Sequence, residues 1–481
     1  MNIEIVLVVL IYFIIMLIVG WISAKRIKSI EDYYIGGRAV GPWLTALSFG
    51  TVYFSAVIFT VAGSWQWNYG LAMGFRDSWG TALLGTAICF LVLGPRLRFQ
   101  SMRAGALTIS DYFEYRYGSK WVKLTVVFIV FYSMFLYATS LLVGMAKQTE
   151  VIMGLPYVLS LVISALVVLF YTVLGGYIGA VWTQAIQAII MVTVTLYIGF
   201  LGLTLVGGLD NLLSKLYDIN PSLTGYPWEN FWICLVVLFV IGFLPWGNAA
   251  AITRFYGIKH ESAFRWAMLI AVLFAFAITF PINIAATTTR ILYPDLKDTD
   301  KAIPILVIEH SPPVLAGLFL SGIYAASMST VTVMISIAAQ AVVKDVFASF
   351  IKQNISSKDI VKWTRIVTLI IGLLTVITAT NPPRLLADLW GTAASVVSSC
   401  LVGPLILSLY WRRTTSKGVI IGSTVSWLSI IIYCSMKGFR WPYIFEAWYP
   451  SIILSITLTI VISLLTKPPE RERLVKLGFK I

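Results

Sequence analysis

The sequence predicts an all-α, polytopic membrane protein, because its composition and its apolar runs point the same way. Of 481 residues, 59% are hydrophobic and 12% are charged, with a mean hydropathy of +0.88. A soluble domain is about half apolar and a quarter charged. Backbone amides in hydrocarbon must be satisfied within a helix or a closed barrel, and the alternating segments of a barrel are absent. We therefore expect a helical bundle.

The apolar runs predict about 13 transmembrane helices within one transporter-sized domain, 1–481. Each run is near the roughly 20 residues that a helix needs to cross a bilayer. The predicted spans are 3–24, 42–68, 77–100, 120–152, 156–174, 178–206, 229–256, 263–292, 311–346, 360–380, 385–411, 416–436 and 447–466.

The net charge of +14 is distributed unevenly between the two faces of the membrane. With the N-terminus outside, the inner segments carry 26 Lys and Arg against 9 Asp and Glu, and the outer segments carry 9 against 12. Basic residues accumulate on the cytoplasmic side of membrane proteins. The sequence therefore predicts an external N-terminus, a cytoplasmic tail at 467–481 and a plasma or inner membrane location. It argues against nucleic-acid binding.

The sequence lacks the motifs that are typical of several classes of enzymes and pumps. The chain has no phosphate-binding loop for ATP and no Gly-x-Ser-x-Gly elbow for hydrolysis. Its two histidines, His260 and His310, fall in predicted loops on opposite faces, so a metal centre or a histidine relay is not expected. The four cysteines all lie inside predicted spans. These observations leave a transporter, a channel or a sensor, and not an enzyme.

The second predicted span contains helix-weakening residues at bilayer depth. Gly50 lies beside Thr51, Tyr53 and Ser55. Glycine and hydroxyl side chains can support an unwound segment, whose free carbonyl oxygens must then line a cavity or bind an ion. The alternative is a continuous, kinked helix whose hydroxyls bond back to carbonyls of the preceding turn.

The seventh predicted span has a matching weak point. Pro245 is flanked by Gly242 and Gly247, and proline removes a backbone donor from the helix. Two interrupted spans that are five spans apart indicate inverted five-helix repeats. The expected repeats are 42–206 and 229–411, with an additional helix at 3–24 and two more at 416–466.

The ninth predicted span places small and hydroxyl residues on one helix face. Ala326, Ser329 and Thr330 have i, i+3, i+4 spacing. Two hydroxyls and a carbonyl suit a hard monovalent cation, which prefers oxygen ligands. Small residues suit tight helix packing equally well.

Several motifs, in order, resemble the sodium:solute symporter family over nearly the whole chain. The strongest is the segment 171–187. The others are Gly36-Gly37-Arg38, the Ala-x-x-Ser-Thr of the ninth span, Arg254-Phe255, Gly403-Pro404-Leu405 and Tyr410-Trp411-Arg412-Arg413.

The resemblance implies a LeuT-like inverted-repeat fold that works by alternating access and couples a small solute to Na⁺. It implies one sodium site between spans 2 and 9. Its ligands would be the carbonyl oxygens of Thr51, Phe54 and Ala326 and the hydroxyls of Ser329 and Thr330.

Two positions depart from the family pattern. Many relatives have an aspartate, associated with a second sodium, where this chain has Gln184, and a neutral amide cannot balance a second cation in low dielectric. We therefore expect one coupling sodium. Some amino-acid-carrying relatives have an acid where this chain has Tyr53, which weakens the transfer of their substrate.

The resemblance also points to a solute site between the interrupted spans. The expected residues are Tyr53, Ser55, Tyr137, Ser140, Trp246 and Asn248. Aromatic residues also form belts at membrane interfaces, so packing is an alternative role for each of them. Helix N-termini at the breaks would favour an anionic group, and we expect an amino acid or a small carboxylate.

Charged residues near the predicted outer face are assigned other roles. Lys147 is expected to extend to the headgroups. Asp295, Asp298 and Asp300 are expected to form a solvated surface.

Three alternatives remain open from the sequence. A sodium-independent or proton-coupled carrier would need a titratable group in the core. A sensor would usually need a cytoplasmic output domain, and a channel would need repeated pore-lining motifs. The oligomeric state and the identity of the solute do not follow from the sequence.

Overall fold

The computed structural model describes residues 2–24, 29–224, 231–352, 355–381 and 386–479. Across these ranges the chain is helical, and the extended contact that it forms is one isolated parallel bridge between Val40 and Ile258. Within the same ranges nine helices are long and apolar enough to cross a membrane, and there are up to eleven spans if each of two bent helix pairs counts as one. Shorter apolar helices at Ile3–Val19 and Tyr157–Leu169 make the structure compatible with the 13 predicted spans.

The first half of the chain contains eleven α-helices. They are α1 (Ile3–Ala24), α2 (Ile30–Ile35), α3 (Pro42–Tyr53), α4 (Gly63–Tyr69), α5 (Leu71–Trp79), α6 (Cys89–Val92), α7 (Gly94–Arg103), α8 (Ile109–Tyr117), α9 (Lys120–Met153), α10 (Tyr157–Val206) and α11 (Leu209–Ile219). Wider π-type turns at Ile58–Ala62 and Gly80–Ile88 precede α4 and α6, and 3₁₀ turns lie at Gly36–Arg38 and Pro221–Leu223.

The second half contains eleven more. They are α12 (Phe231–Gly247), α13 (Ala249–Gly257), α14 (Ala263–Leu292), α15 (Ala302–His310), α16 (Pro313–Gln340), α17 (Ser357–Ala379), α18 (Leu386–Tyr410), α19 (Ser416–Lys437), α20 (Tyr443–Glu446), α21 (Trp448–Leu465) and α22 (Arg471–Lys476). A 3₁₀ turn at Thr299–Lys301 precedes α15, and a π-type segment at Ala341–Ile351 follows α16.

The second span is interrupted, as predicted, although not at Gly50. Helix α3 runs through Gly50 and ends at Tyr53, and the chain resumes at Ile58 with a bend of 55°. A Cβ atom on Gly50 would lie 2.5 Å from the ring of Phe274, so this glycine permits close packing against α14. The break falls at Phe54, where the backbone is extended.

The seventh span is interrupted in the same way. Helix α12 passes through Pro245 and ends at Gly247, and α13 begins after Asn248 at an angle of 49°. The side chain of Asn248 accepts a hydrogen bond from the Ala250 amide and so caps α13. A Cβ on Gly247 would lie 2.2 Å from the carbonyl oxygen of Val397, which explains how α12 approaches α18 so closely.

The fifth and sixth predicted spans are joined in the structure. One helix, α10, covers Tyr157–Val206 where spans 156–174 and 178–206 were expected. The glycines at 175 and 176 weaken a helix but do not end it, and no proline lies in this segment. Among residues 170–179 the structure describes the helical backbone and one side chain, that of Thr172. The other side chains in the first part of the segment 171–187 lie outside the described structure.

Candidate cation and solute sites

Four of the five predicted sodium ligands meet where α3 ends beside the middle of α16. The hydroxyl oxygens of Ser329 and Thr330 each lie 3.0 Å from the carbonyl oxygen of Thr51. They lie 2.9 and 3.1 Å from the carbonyl oxygen of Ala326. All four residues are buried. A compact group of two carbonyl and two hydroxyl oxygens results.

The helix break explains why the Thr51 carbonyl is available. Within α3 the last turn closes with the Phe54 amide, which bonds the Gly50 carbonyl at 2.7 Å. The next carbonyl, that of Thr51, accepts hydrogen bonds from α16 instead. The Phe54 carbonyl is not hydrogen-bonded to this group in the described part of the chain, so its role as a fifth ligand stays a prediction.

The oxygen group suits a sodium ion by its chemistry. Hard cations prefer oxygen ligands, and the described residues contain no cluster of three or more His, Cys, Asp or Glu that could hold another metal. The hydroxyls now donate to the carbonyl oxygens. A cation at their centre would replace these hydrogen bonds with direct contacts to all four oxygens.

Gln184 lies immediately beside this group but is fully engaged with neighbours. Its amide donates to the Ser329 carbonyl at 2.8 Å, and its oxygen accepts from Ser48 and, at 3.3 Å, from the Arg254 guanidinium. Arg254 is buried. The positive charge of a buried guanidinium therefore lies next to the Gln184 amide.

A cavity with an empty volume of about 410 Å³, including its open part, lies beside the break in the second span. Helices α3, α4, α5, α9, α12 and α18 or their ends contribute to its walls. It is lined by Tyr53, Phe54, Ser55, Val57, Ile58, Val61, Ala62, Trp65, Asp77, Thr81, Tyr137, Ile241, Leu244 and Trp390.

Three of the six predicted solute residues line this cavity. Tyr53, Ser55 and Tyr137 are among them, and the hydroxyls of Ser55 and Tyr137 lie 3.5 Å apart. The hydroxyl of Tyr53 donates to the carbonyl of Ile241 at 2.8 Å, which links the two interrupted spans.

The other three predicted solute residues lie nearby with polar groups engaged elsewhere. Ser140 donates to the Tyr137 carbonyl at 2.7 Å, and the Trp246 indole donates to the Leu84 carbonyl at 2.9 Å. Asn248 caps α13. They are not among the residues that line the cavity, and their contact with solute stays a prediction.

Four further polar or aromatic residues of the cavity were not predicted from the sequence. These are Trp65, Asp77, Thr81 and Trp390. Asp77 lies at the first position of a predicted span, where an acidic residue is expected at the membrane interface. In the structure its side chain is buried. A titratable group therefore lies buried at this position.

One end of the cavity walls is tied together by the segment before α15. The Lys147 ammonium lies 2.7 Å from the Asp300 carboxylate, and the Ser64 and Thr299 hydroxyls lie 2.6 Å apart. The solvated surface expected for Asp300 is wrong, since this residue is buried, and burial raises the pKa of its carboxyl while Lys147 opposes the rise. Lys147 pairs with it instead of extending to headgroups.

Comparison with known proteins identifies the family. The profile of the sodium:solute symporter family matches residues 33–426. The chain belongs to the sodium:solute symporter family. It is a multi-pass membrane transporter and not an enzyme, and its function is sodium-coupled symport of a small organic solute.

Its relatives carry different solutes. The osmoregulated proline transporter OpuE of Bacillus subtilis is 29% identical, with 98% of this chain and 96% of the relative covered. The sodium/pantothenate symporter of Haemophilus influenzae is 27% identical, with 96% of each chain covered. The sodium/proline symporter of Escherichia coli is 27% identical over 95% of this chain and 92% of the relative.

Solved structures show the same LeuT-like fold. A Na⁺-coupled sialic acid symporter in a substrate-bound, outward-open state superposes with a TM-score of 0.82 at 16% identity, covering 97% of this chain and 99% of that one. A nucleobase-cation-symport-1 family transporter superposes with a TM-score of 0.53 at 15% identity, covering 92% and 97%. At these identities the likeness concerns the fold.

Proposed function

We propose that the transporter carries one sodium ion with each solute molecule, from the external face of a plasma or inner membrane into the cytoplasm. The sodium ion binds Thr51, Ala326, Ser329 and Thr330, with the Phe54 carbonyl as a fifth ligand. The solute binds in the adjacent cavity at Tyr53, Ser55 and Tyr137. Ser140, Trp246 and Asn248 take part when the protein changes state. The N-terminus is external and the tail is cytoplasmic.

The proposal rests on the Thr51 carbonyl, which two hydroxyls of α16 approach at 3.0 Å. Because this carbonyl lies at the break of the second span, an ion bound there ties the break to an unbroken helix. Ser55 and Tyr53 follow within four residues and line the cavity. Sodium binding would therefore favour the arrangement of the break that accepts solute, and solute would in turn strengthen sodium binding.

The repeats proposed for this motion are 42–206 and 229–411, with 3–24 and 416–466 as additional helices. Each repeat contains one interrupted span near its start. We propose an amino acid or a small carboxylate as the solute, in keeping with relatives named for proline and pantothenate.

The test is solute uptake by the purified protein in liposomes under an inward gradient of sodium. A gradient of potassium or choline at the same ionic strength is the control. We expect uptake of proline or another small solute under the sodium gradient and not under the control gradients. Equal uptake under the control gradients, or under a proton gradient without sodium, would contradict the proposal.

Binding provides a second measurement. The unfolding temperature of the detergent-solubilised protein should rise when sodium is added. A transported solute should raise it further only when sodium is present. The unfolding temperature reports binding because a ligand stabilises the folded state that binds it.

A further inference from the structure

Asp77 places a carboxyl group in the wall of the solute cavity. The residue is 4% exposed. No hydrogen bond or ion pair to its carboxyl group is found within the described part of the chain, whose ion pairs lie elsewhere. The neighbouring Arg76 turns away, with its guanidinium 5.6 Å from the centre of the Phe231 ring.

A buried carboxylate without a partner is costly, since it loses its hydration without gaining an opposite charge. Asp77 is the one charged side chain among the described residues that line the cavity. A protein cation that would balance it is therefore not part of this wall. A ligand that brings its own positive charge would supply the missing partner.

The rest of the cavity wall suits such a ligand. Five of its fourteen lining residues are aromatic, namely Tyr53, Phe54, Trp65, Tyr137 and Trp390. Aromatic faces attract cationic nitrogen, and more strongly where water is excluded. The hydroxyls of Ser55, Tyr137 and Thr81 offer further oxygens, so the wall combines one carboxyl group with rings and alcohol groups.

We propose that the solute carries a cationic nitrogen, which binds the Asp77 carboxylate inside the aromatic cavity. The inference rests on the proposed function, because it assumes that the solute occupies this cavity. It divides the solutes named for the relatives: proline has a cationic nitrogen, whereas pantothenate is an anion without one. Amino acids, betaines and small amines fit the cavity, and simple carboxylates do not.

The first test compares matched ligands on the unmodified, full-length protein in saturating sodium. L-proline is paired with tetrahydrofuran-2-carboxylate, in which an ether oxygen replaces the ring nitrogen. Glycine betaine, the standard amino acids and pantothenate complete the set. We expect thermal stabilisation by at least one ligand with a cationic nitrogen, and at least tenfold weaker binding of the isostere that lacks this nitrogen and of pantothenate. Equal binding of the isostere, stabilisation by pantothenate alone, or no stabilisation by any cationic member would overturn the inference.

The second test changes the carboxyl group. Asp77→Asn should weaken binding of the cationic solute at least tenfold, Asp77→Glu should retain part of it, and Asp210→Asn at an exposed position of α11 should have no effect. Unchanged affinity in Asp77→Asn would overturn the inference. The shift of unfolding temperature caused by sodium alone shows whether the Asp77→Asn variant is folded. If this variant is not folded, the comparison of matched ligands on the unmodified protein tests the inference.

These outcomes separate the inference from the proposed function. Sodium-driven uptake of pantothenate would leave the symport mechanism standing while removing the role of Asp77. Binding of proline that requires Asp77 but is independent of sodium would support the role of Asp77 and contradict sodium coupling.

Discussion

The ammonium group of Lys147 and the carboxylate of Asp300 form a buried ion pair at 2.7 Å, although 153 positions separate them in the sequence. The same carboxylate oxygen accepts the Leu386 amide at 3.0 Å. Asp300 thus joins α9 to the start of α18 at one end of the cavity beside the break in the second span. By the predicted topology this is the external end.

We predict that Asp300→Asn opens this end of the cavity. The substitution removes the 2.7 Å contact between Lys147 and a buried carboxylate and leaves the more distant Asp298 at 3.8 Å, which weakens the connection between α9 and α18. A Val61→Cys reporter in the cavity wall should then react at least about tenfold faster with a membrane-impermeant thiol reagent, equivalent to ~1.4 kcal/mol.

Two controls accompany this experiment. The four native cysteines are buried, so protein without the reporter should react slowly. Asp295→Asn changes an exposed acid of the same segment and should leave the reporter's rate unchanged. An equal rate in Asp300→Asn and the parent would show that the ion pair does not close the cavity.

Removing either hydroxyl of the proposed cation site should weaken sodium binding. Ser329→Ala and Thr330→Ala each delete one oxygen that faces the Thr51 carbonyl. A lost interaction with a charged group is worth about 1.5–3 kcal/mol, so the sodium concentration for half-maximal uptake should rise about tenfold or more. Uptake against sodium concentration in liposomes gives this value.

Ser327 supplies a matched control on the same helix. It is buried, and its hydroxyl has no hydrogen-bond partner within the described structure. Ser327→Ala should leave the sodium requirement unchanged. If all three substitutions shift it equally, the effect comes from helix packing and not from a cation site.

The sequence located both interrupted spans and the hydroxyl pair of α16 because these features are local. Glycine, proline and hydroxyl residues near Gly50 and Gly247 weaken a helix wherever they occur. The exact positions of the breaks, at Phe54 and Asn248, depend on tertiary contacts. Gly50, for example, allows the ring of Phe274 to pack closely against α3, and α3 continues through Gly50.

The cavity acid and the buried ion pair could not be predicted by the same means. Asp77 lies at the edge of a hydrophobic run, and hydropathy alone does not separate a cavity acid from an interfacial one. The partners Lys147 and Asp300 are distant in the chain, so nothing in either local pattern indicates that they meet. Composition near Asp300 resembles that of an ordinary polar loop.

We predict a stoichiometry of one sodium ion per solute. The Arg254 guanidinium lies 3.3 Å from the Gln184 oxygen, where a second cation would meet both a neutral amide and a positive charge. The reversal potential of solute flux in liposomes, measured against the sodium gradient, reports the coupling ratio directly. A ratio of two would mean that the second ion binds without a carboxylate at position 184.

A charge cluster next to α8 should set how the protein responds to acid. Asp111 forms ion pairs with Lys344 and, at 3.2 Å, with Lys123. Burial alone would raise the pKa of Asp111, but the two ammonium groups outweigh it and hold the pKa below its usual range. A depressed carboxyl pKa contributes stability above the unfolded-state value of about 3.9, and this contribution is lost as pH falls through the folded-state value.

Asp111→Asn should therefore lower the free energy of unfolding by about 1.5–3 kcal/mol at pH 7, because the charge-assisted contacts to Asp111 are lost. Lys123 keeps Glu114 at 2.7 Å, and Lys344 keeps Asp345 at 3.6 Å. The difference between native protein and variant should narrow progressively below about pH 4, where the unfolded carboxylate takes up a proton. Denaturant unfolding in detergent between pH 7 and pH 3 measures it. Glu472→Gln, which breaks an exposed pair with Lys476, should cost little at any pH. A difference that stays constant to pH 3 would assign the effect of Asp111 to its hydrogen bonds at the start of α8, since those do not require a titrating charge.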